Sequence, residues 1–181
     1  RWLLAVDHRL LASAAGRAVT GGPRAVRELL ELGYLAVYPM VPAAFGILLA
    51  QGLRSHADRF WTTVLTAEFV CYILLPLLPT RPPRQLELEP AYGGMATRVR
   101  RLNLAILNRA SNQWNTFPSG HVAGAAACAL TLLPLAPAAG LVLAALTCLI
   151  MAGAVAGRYH YLADALGGLA VAVVAASLIA W

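Results

Sequence analysis

Five long apolar runs, at about 32–53, 60–79, 119–135, 138–157 and 162–181, constrain this chain more than any other feature. A helix needs roughly 20 mostly apolar residues to cross the hydrocarbon core of a bilayer, and backbone inside that core must satisfy its own hydrogen bonds. The fold class that follows is an all-α membrane protein: a bundle of about five transmembrane helices with interfacial amphipathic helices beside it. Composition points the same way, since hydrophobic residues make up 60% of the chain, charged residues 12%, and the mean hydropathy is +0.68. Soluble domains run nearer to roughly half apolar and a quarter charged. With 181 residues there is room for one domain, 1–181, and a water-soluble monomer could not hide this much apolar surface.

Pro39, Pro42 and Pro76 are expected to bend the first two helices, and the third run is short, with small residues that permit close helix contact. Glu68, midway along the second run, reads either as a functional group or as a hydrogen-bond partner for a neighbouring helix. Cys71, Cys128 and Cys148 lie inside apolar runs and read as packing residues, not as a disulfide set or a metal site. All 14 basic residues are arginine, and the formal charge is +6. Arginine's planar fork suits phosphate, although a GC-rich genome would produce the same bias.

Residues 1–30 do not make a sixth span. Asp7-His8-Arg9 interrupts the apolar start, and Leu3, Val6 and Leu10 share a helical face, so an amphipathic helix lying in the interface is expected. Gly21-Gly22-Pro23 marks a turn. No basic region, apolar core and cleavage site follow one another, so no signal peptide is expected. The chain begins with Arg1 and not Met, which suggests a trimmed piece whose upstream helix is missing. The long polar stretch, 80–116, opens with Thr80-Arg81-Pro82-Pro83-Arg84, which displays two guanidiniums at the membrane boundary. Met95, Val99, Leu102 and Ile106 then recur at helical spacing, with Arg98, Arg101 and Arg109 off that stripe. That pattern reads as a second interfacial helix that floors or covers a site, or as a solvated connector on the headgroups.

Alternating direction through five spans brings three polar segments to one membrane face: 80–116, the start of the third span, and the 157–162 turn. Arg81, Arg84, Ser119, Gly120, His121, Arg158, His160 and Asp164 converge there. Pro118 and Ser119 suit the start of a helix, whose free N–H groups and positive dipole end attract an anion such as phosphate. Gly120 would let the backbone approach that anion, and His121 would lie within reach of a phosphoryl group. His160 and Asp164, four apart, fall on one face if the segment is helical. A carboxylate on one ring nitrogen fixes the imidazole tautomer and makes the other nitrogen a better nucleophile or base.

Thr80-Arg81-Pro82-Pro83-Arg84, Phe117-Pro118-Ser119-Gly120-His121 and the string Arg158-Tyr159-His160-Tyr161-Leu162-Ala163-Asp164-Ala165-Leu166-Gly167-Gly168 resemble the three signature motifs of the type 2 phosphatidic acid phosphatase superfamily. The closest branch is the one similar to inositol phosphorylceramide synthases, and the resemblance spans roughly residues 30–181. Two positions depart from it. Leu74 stands where the superfamily usually has lysine, and Ala154 where it usually has arginine; Arg158, two before His160, follows the synthase-like pattern.

The resemblance implies that His160 attacks phosphorus and becomes a phosphohistidine, with Asp164 orienting its ring. His121 protonates the leaving oxygen and then activates the incoming water or alcohol. Arg81, Arg84, Arg158, Ser119 and the Gly120 backbone hold the phosphate oxygens. No metal and no cofactor is implied. The expected partners are a phosphorylated lipid and the bilayer, with no nucleic acid.

The leading expectation is therefore a lipid-phosphate phosphatase. The alternatives are a phosphotransferase that passes a phospho-headgroup to an alcohol, and a non-catalytic phospholipid-binding or transport protein favoured by Leu74 and Ala154. A haloperoxidase-like oxyanion site is a remoter one. A multi-pass protein of the cell membrane is expected. Arg54 and Arg59 would put their link inside, yet the site face carries more arginines. The resemblance implies an extracytoplasmic site.

Overall fold

A computed structural model describes residues 2–86, 97–110, 114 and 116–179, and among them the chain forms ten α-helices and no strand. They are α1 (Trp2–Leu11), α2 (Ala14–Thr20), α3 (Arg24–Leu35), α4 (Val37–Ala50), α5 (Ala57–Leu77), α6 (Pro83–Leu86), α7 (Arg98–Ala110), α8 (Gly120–Leu132), α9 (Pro137–Ala156) and α10 (Leu162–Ile179). A single 3₁₀ turn, Arg54–His56, leads into α5.

Among the described residues, three helices are long and apolar enough to cross a bilayer: Arg54–Leu77, α9 and α10. The first run is not one straight span. It begins earlier than its apolar residues suggest, and α3 and α4 meet at a 64° bend. Pro39 explains the break. It occupies the first turn of α4, where a missing N–H costs nothing, and its ring excludes the carbonyl four residues back, at Leu35, the last residue of α3. Counted as one broken span, the pair makes a fourth crossing.

These spans and the helices beside them form the all-α membrane bundle the sequence implies, and the third run is a shorter apolar helix within it. α8 has 13 residues, a rise of roughly 20 Å, which falls short of a hydrocarbon core about 30 Å thick. It is instead the central post of the bundle, packed against α4, α5, α9 and α10. Val122 to Ala129, Thr131 and Leu132 are all buried, so the helix has no lipid-facing side. Its alanines permit this, because small side chains let neighbouring backbones approach. The surrounding helices supply Met40, Leu48, Phe60, Val64, Leu143 and Ile150 to the core, while Phe69, Ile73, Leu77, Leu141, Val142 and Leu178 point outward, as lipid-facing residues do.

The segments outside the runs are helical where their apolar stripes fall, at α1 and α7. Residues 2–30 form α1, α2 and most of α3, with the turn at Gly21-Gly22-Pro23 where the sequence places it. On α1, Val6 and Leu10 are exposed and the buried residue is Asp7. On α7, Leu102 is half exposed while Asn103 and Leu107 face the protein. Met95, the first member of that stripe, lies outside the described residues. α1 thus turns Val6 and Leu10 outward and Asp7 inward, while α7 buries Asn103 and Leu107 and exposes Arg101, Leu102 and Arg109. α3 packs on α9 and α7. A Cβ on Gly153 of α9 would collide with the Leu30 carbonyl, so glycine is what lets α3 and α9 touch.

Candidate active site

The three sequence strings meet at one end of the bundle, where α5 ends, α8 begins, α9 ends and α10 begins. They are joined in pairs. Thr80 Oγ1 accepts the Thr116 N–H at 2.9 Å and the Phe117 N–H at 3.2 Å, which links the first string to the second. The Arg84 N–H donates to the Arg158 carbonyl at 3.2 Å, and its guanidinium donates to the Tyr159 carbonyl at 3.4 Å, which links the first to the third. The Ser119 N–H donates to the Asp164 carbonyl at 2.9 Å, which closes the triangle.

Glycine makes the last link possible. A Cβ on Gly168 would collide with the Ser119 carbonyl oxygen, and one on Gly167 would meet the Phe117 ring at 2.9 Å. Because the Gly168 obstacle is backbone, no rotamer change relieves it. The Gly168→Ala variant is expected to push the start of α8 away from α10. That costs about 1–3 kcal/mol by analogy with overpacked cores, read as a lower melting temperature in detergent, with turnover falling as His121 leaves His160.

At the centre, the His121 and His160 rings lie 6.0 Å apart between centroids and nearly perpendicular, at 80°. Tyr34 and Tyr38 stand edge-on to His121, each with a ring-centroid distance of 6.0 Å. Four aromatic rings from α3, α4, α8 and the 157–161 turn therefore wall one small space. Ser119 is the N-cap of α8, its hydroxyl accepting the Val122 N–H at 3.4 Å. The first N–H groups of α8, which have no acceptor within the helix, open at this end. An added Cβ at Gly120 would meet Tyr72 Cε1 at 3.4 Å, an ordinary contact, so packing on α5 does not itself demand glycine here.

His160 is not on α10; it lies in the turn just before it. The expected same-face helical pairing is replaced by the turn itself, which folds Asp164 back against the ring. Asp164 Oδ2 accepts the Tyr161 N–H at 2.9 Å and sits 3.4 Å from His160 Nδ1. Asp164 is fully buried, and neither His160 Nδ1 nor Asp164 Oδ1 has a hydrogen-bond partner among the described residues. A separation of this length is common for catalytic contacts that tighten when substrate binds. With Nδ1 turned to the carboxylate, Nε2 is the nitrogen free to face a substrate.

The arginines divide. Arg84 is half-buried beside the aromatic rings, and burial pulls its guanidinium below the ordinary value against the opposing pull of Tyr34, Tyr159 and Tyr38. Arg81 is exposed, and its described partner is Trp114, whose ring lies 4.5 Å from the guanidinium carbon, not the imidazole pair. Arg158 is in the interior with its side chain 1% exposed, and its Nη1 donates to Asp7 Oδ2 at 3.0 Å. Its backbone has φ 61°, a left-handed conformation that non-glycine residues hold only where the surroundings enforce it.

Sequence reasoning did not find Asp7, Glu31, Arg100, Asn103, Tyr34 or Tyr38. Glu31 is buried and accepts three side chains: Arg100 Nη1 at 2.8 Å, Asn103 Nδ2 at 2.8 Å and the Tyr159 hydroxyl at 2.6 Å. Burial, and then the Glu31 charge and hydrogen bond, raise the Tyr159 phenol above its ordinary value and keep it a neutral donor. Tyr159 also stacks on Tyr34 at 4.1 Å. Ala154, at the position where an arginine is usual, packs in the cluster of Tyr34, Leu107 and Tyr159. Glu68, the other acidic residue singled out, places its carboxylate against Gly124, one turn into α8. Among the described residues, no group of three or more His, Cys, Asp or Glu side chains gathers in a metal-binding arrangement.

A family model described as the PAP2 superfamily matches residues 1–178. The chain belongs to the PAP2 superfamily. No curated protein and no solved structure matches it. The apolar helices and the family together make it a membrane protein, and at the level of the superfamily they indicate phosphatase-like chemistry on lipid phosphates.

Proposed function

We propose that this PAP2 protein is an integral membrane lipid-phosphate phosphatase that works through a phosphohistidine on His160. The observation that carries the reading is the imidazole pair: two histidines from separate elements, 6.0 Å apart, one of them backed by a buried carboxylate. His160 Nε2 attacks phosphorus while the bond to the lipid oxygen breaks, and His121 gives that oxygen its proton. Asp164 stabilises the positive charge on the His160 ring. A water then loses a proton to His121 and attacks the same phosphorus. The P–N bond breaks, phosphate leaves, and both imidazoles return to their starting states. Arg84, Arg158 and Arg81, together with Ser119 and the Gly120 N–H at the α8 terminus, are the groups proposed to hold the phosphate oxygens, whose charge an enzyme of this kind must stabilise.

The second reading replaces water with an alcohol acceptor, as in inositol phosphorylceramide synthases. One observation favours it: Arg158 stands two residues before His160, the spacing of that branch. The two differ only in what enters after the lipid alcohol departs. Purified protein given phosphatidic acid, phosphatidylglycerol phosphate, prenyl diphosphate and phosphoinositol lipids, with and without polyols, separates them. The phosphatase reading expects free phosphate in the absence of any polyol. A new phosphodiester with no free phosphate under any condition would establish the transferase instead. A protein that binds these lipids without turning any over would be a lipid-binding or transport protein. We place the protein in the cell membrane with its site on the extracytoplasmic side.

A further inference from the structure

We propose that Asp7 and Glu31, two buried carboxylates of the N-terminal helices, are positioning residues that hold the His160 turn through Arg158 and Tyr159. The inference rests on His160 being the nucleophile. It adds a function to the N-terminal helices, where the sequence presents residues 1–30 as an interfacial segment.

The contacts bracket the histidine. Asp7 Oδ2 accepts from Arg158 Nη1 at 3.0 Å and Asp7 Oδ1 accepts the Leu162 N–H at 3.2 Å, so one carboxylate bridges the residues two before and two after His160. Glu31 takes the neighbouring residue, accepting the Tyr159 hydroxyl at 2.6 Å. Arg100, itself bound to Glu31, donates to the Gly157 carbonyl at 3.3 Å. Residues 157, 158, 159 and 162 are thus all gripped by side chains from α1, α3 and α7, with the imidazole projecting from the middle of the grip.

A purely structural explanation would expect apolar side chains here, because a buried ion pair seldom stabilises more than well-packed hydrophobic residues of the same volume. Charge is expensive at a membrane boundary, and Asp7 is only 1% exposed. What an ion pair supplies that hydrophobic packing does not is one enforced geometry, and the turn has a residue in need of it: Arg158 at φ 61°. The Asp7 pair holds the left-handed residue in place, and the direction of the His160 ring follows from that backbone.

The test uses the full chain in detergent with short-chain phosphatidic acid as substrate, reading kcat, KM and melting temperature for Asp7→Asn, Asp7→Glu and Tyr159→Phe. Asp7→Asn is expected to lower kcat roughly 10- to 100-fold, the size seen for groups that orient a reacting residue, with KM little changed. Asp7→Glu should recover part of that loss. Tyr159→Phe keeps the ring stacked on Tyr34 and loses only the hydroxyl, so it should lower kcat at an unchanged melting temperature. Asp7→Asn placed on Arg158→Gln should lose less than the two single losses combined, the signature of two residues coupled through a shared contact. Wild-type kcat in folded Asp7→Asn and Tyr159→Phe, with His160→Ala inactive, would overturn the proposal. If Asp7→Asn does not fold, wild-type kcat in folded Tyr159→Phe overturns it equally. Retained turnover in His160→Ala would overturn the nucleophile reading beneath it.

Discussion

Replacing His160 by alanine is expected to abolish turnover, a loss of at least about 10⁴-fold by comparison with other enzymes stripped of their nucleophile. Binding should survive. The side chain is 12% exposed and contributes no fold-defining contact beyond Asp164, while the Arg84 and Arg158 contacts to the surrounding backbone do not involve the ring. Orthovanadate or lipid phosphate should therefore still protect the variant against thermal unfolding. This pairing of lost turnover with kept binding separates a nucleophile from a scaffold residue. A variant that neither turns over nor binds would point to a collapsed site, and one that still turns over would remove the proposed chemistry.

The second large effect is expected at His121. It approaches the same space from the opposite helix and is proposed to move a proton in both steps. Loss of a general acid and base costs about 10²- to 10⁴-fold, so His121→Ala should fall in that range with an alkyl phosphate. The informative measurement changes the leaving group. An aryl phosphate such as nitrophenyl phosphate leaves without a proton, so the first step should recover while the second, which needs a base to activate water, stays slow. The variant should release a burst of nitrophenol matching the amount of enzyme and then stall with the phosphoryl group attached. An equal loss on both substrates, with no burst, would show that His121 acts in some other way.

The site was legible to the extent that its residues are neighbours in sequence. Ser119 caps α8 and His121 follows one turn-start later, because a Pro-Ser-Gly string before an apolar run leaves the chain few other conformations. The convergence of the three strings followed from counting runs, and it survives the shortening of the third. Its shortness was visible but its enclosure was not: an apolar run looks the same whether it faces lipid or is surrounded by other helices, and only packing reveals that α8 is buried on every side. The bend at Ala36 was half visible, since Pro39 announced a break without its angle.

The acidic residues were invisible for a different reason. Asp7 meets Arg158 across 151 positions and Glu31 meets Tyr159 across 128. No local period encodes such pairs. An amphipathic stripe also says which residues are apolar without saying which way they face. On α1, Val6 and Leu10 turn outward because Asp7 has partners within the protein, whereas on α7 polar Asn103 and apolar Leu107 turn inward together.

The account comes down to where the phosphoryl group goes. Wild-type protein quenched in base during turnover of phosphatidic acid, digested and examined by mass spectrometry, should carry a phosphoryl group on the peptide containing His160. That adduct should accumulate in His121→Ala and be missing from His160→Ala. A phosphoryl group found on His121, or steady turnover with no phosphorylated histidine at any time, would contradict it.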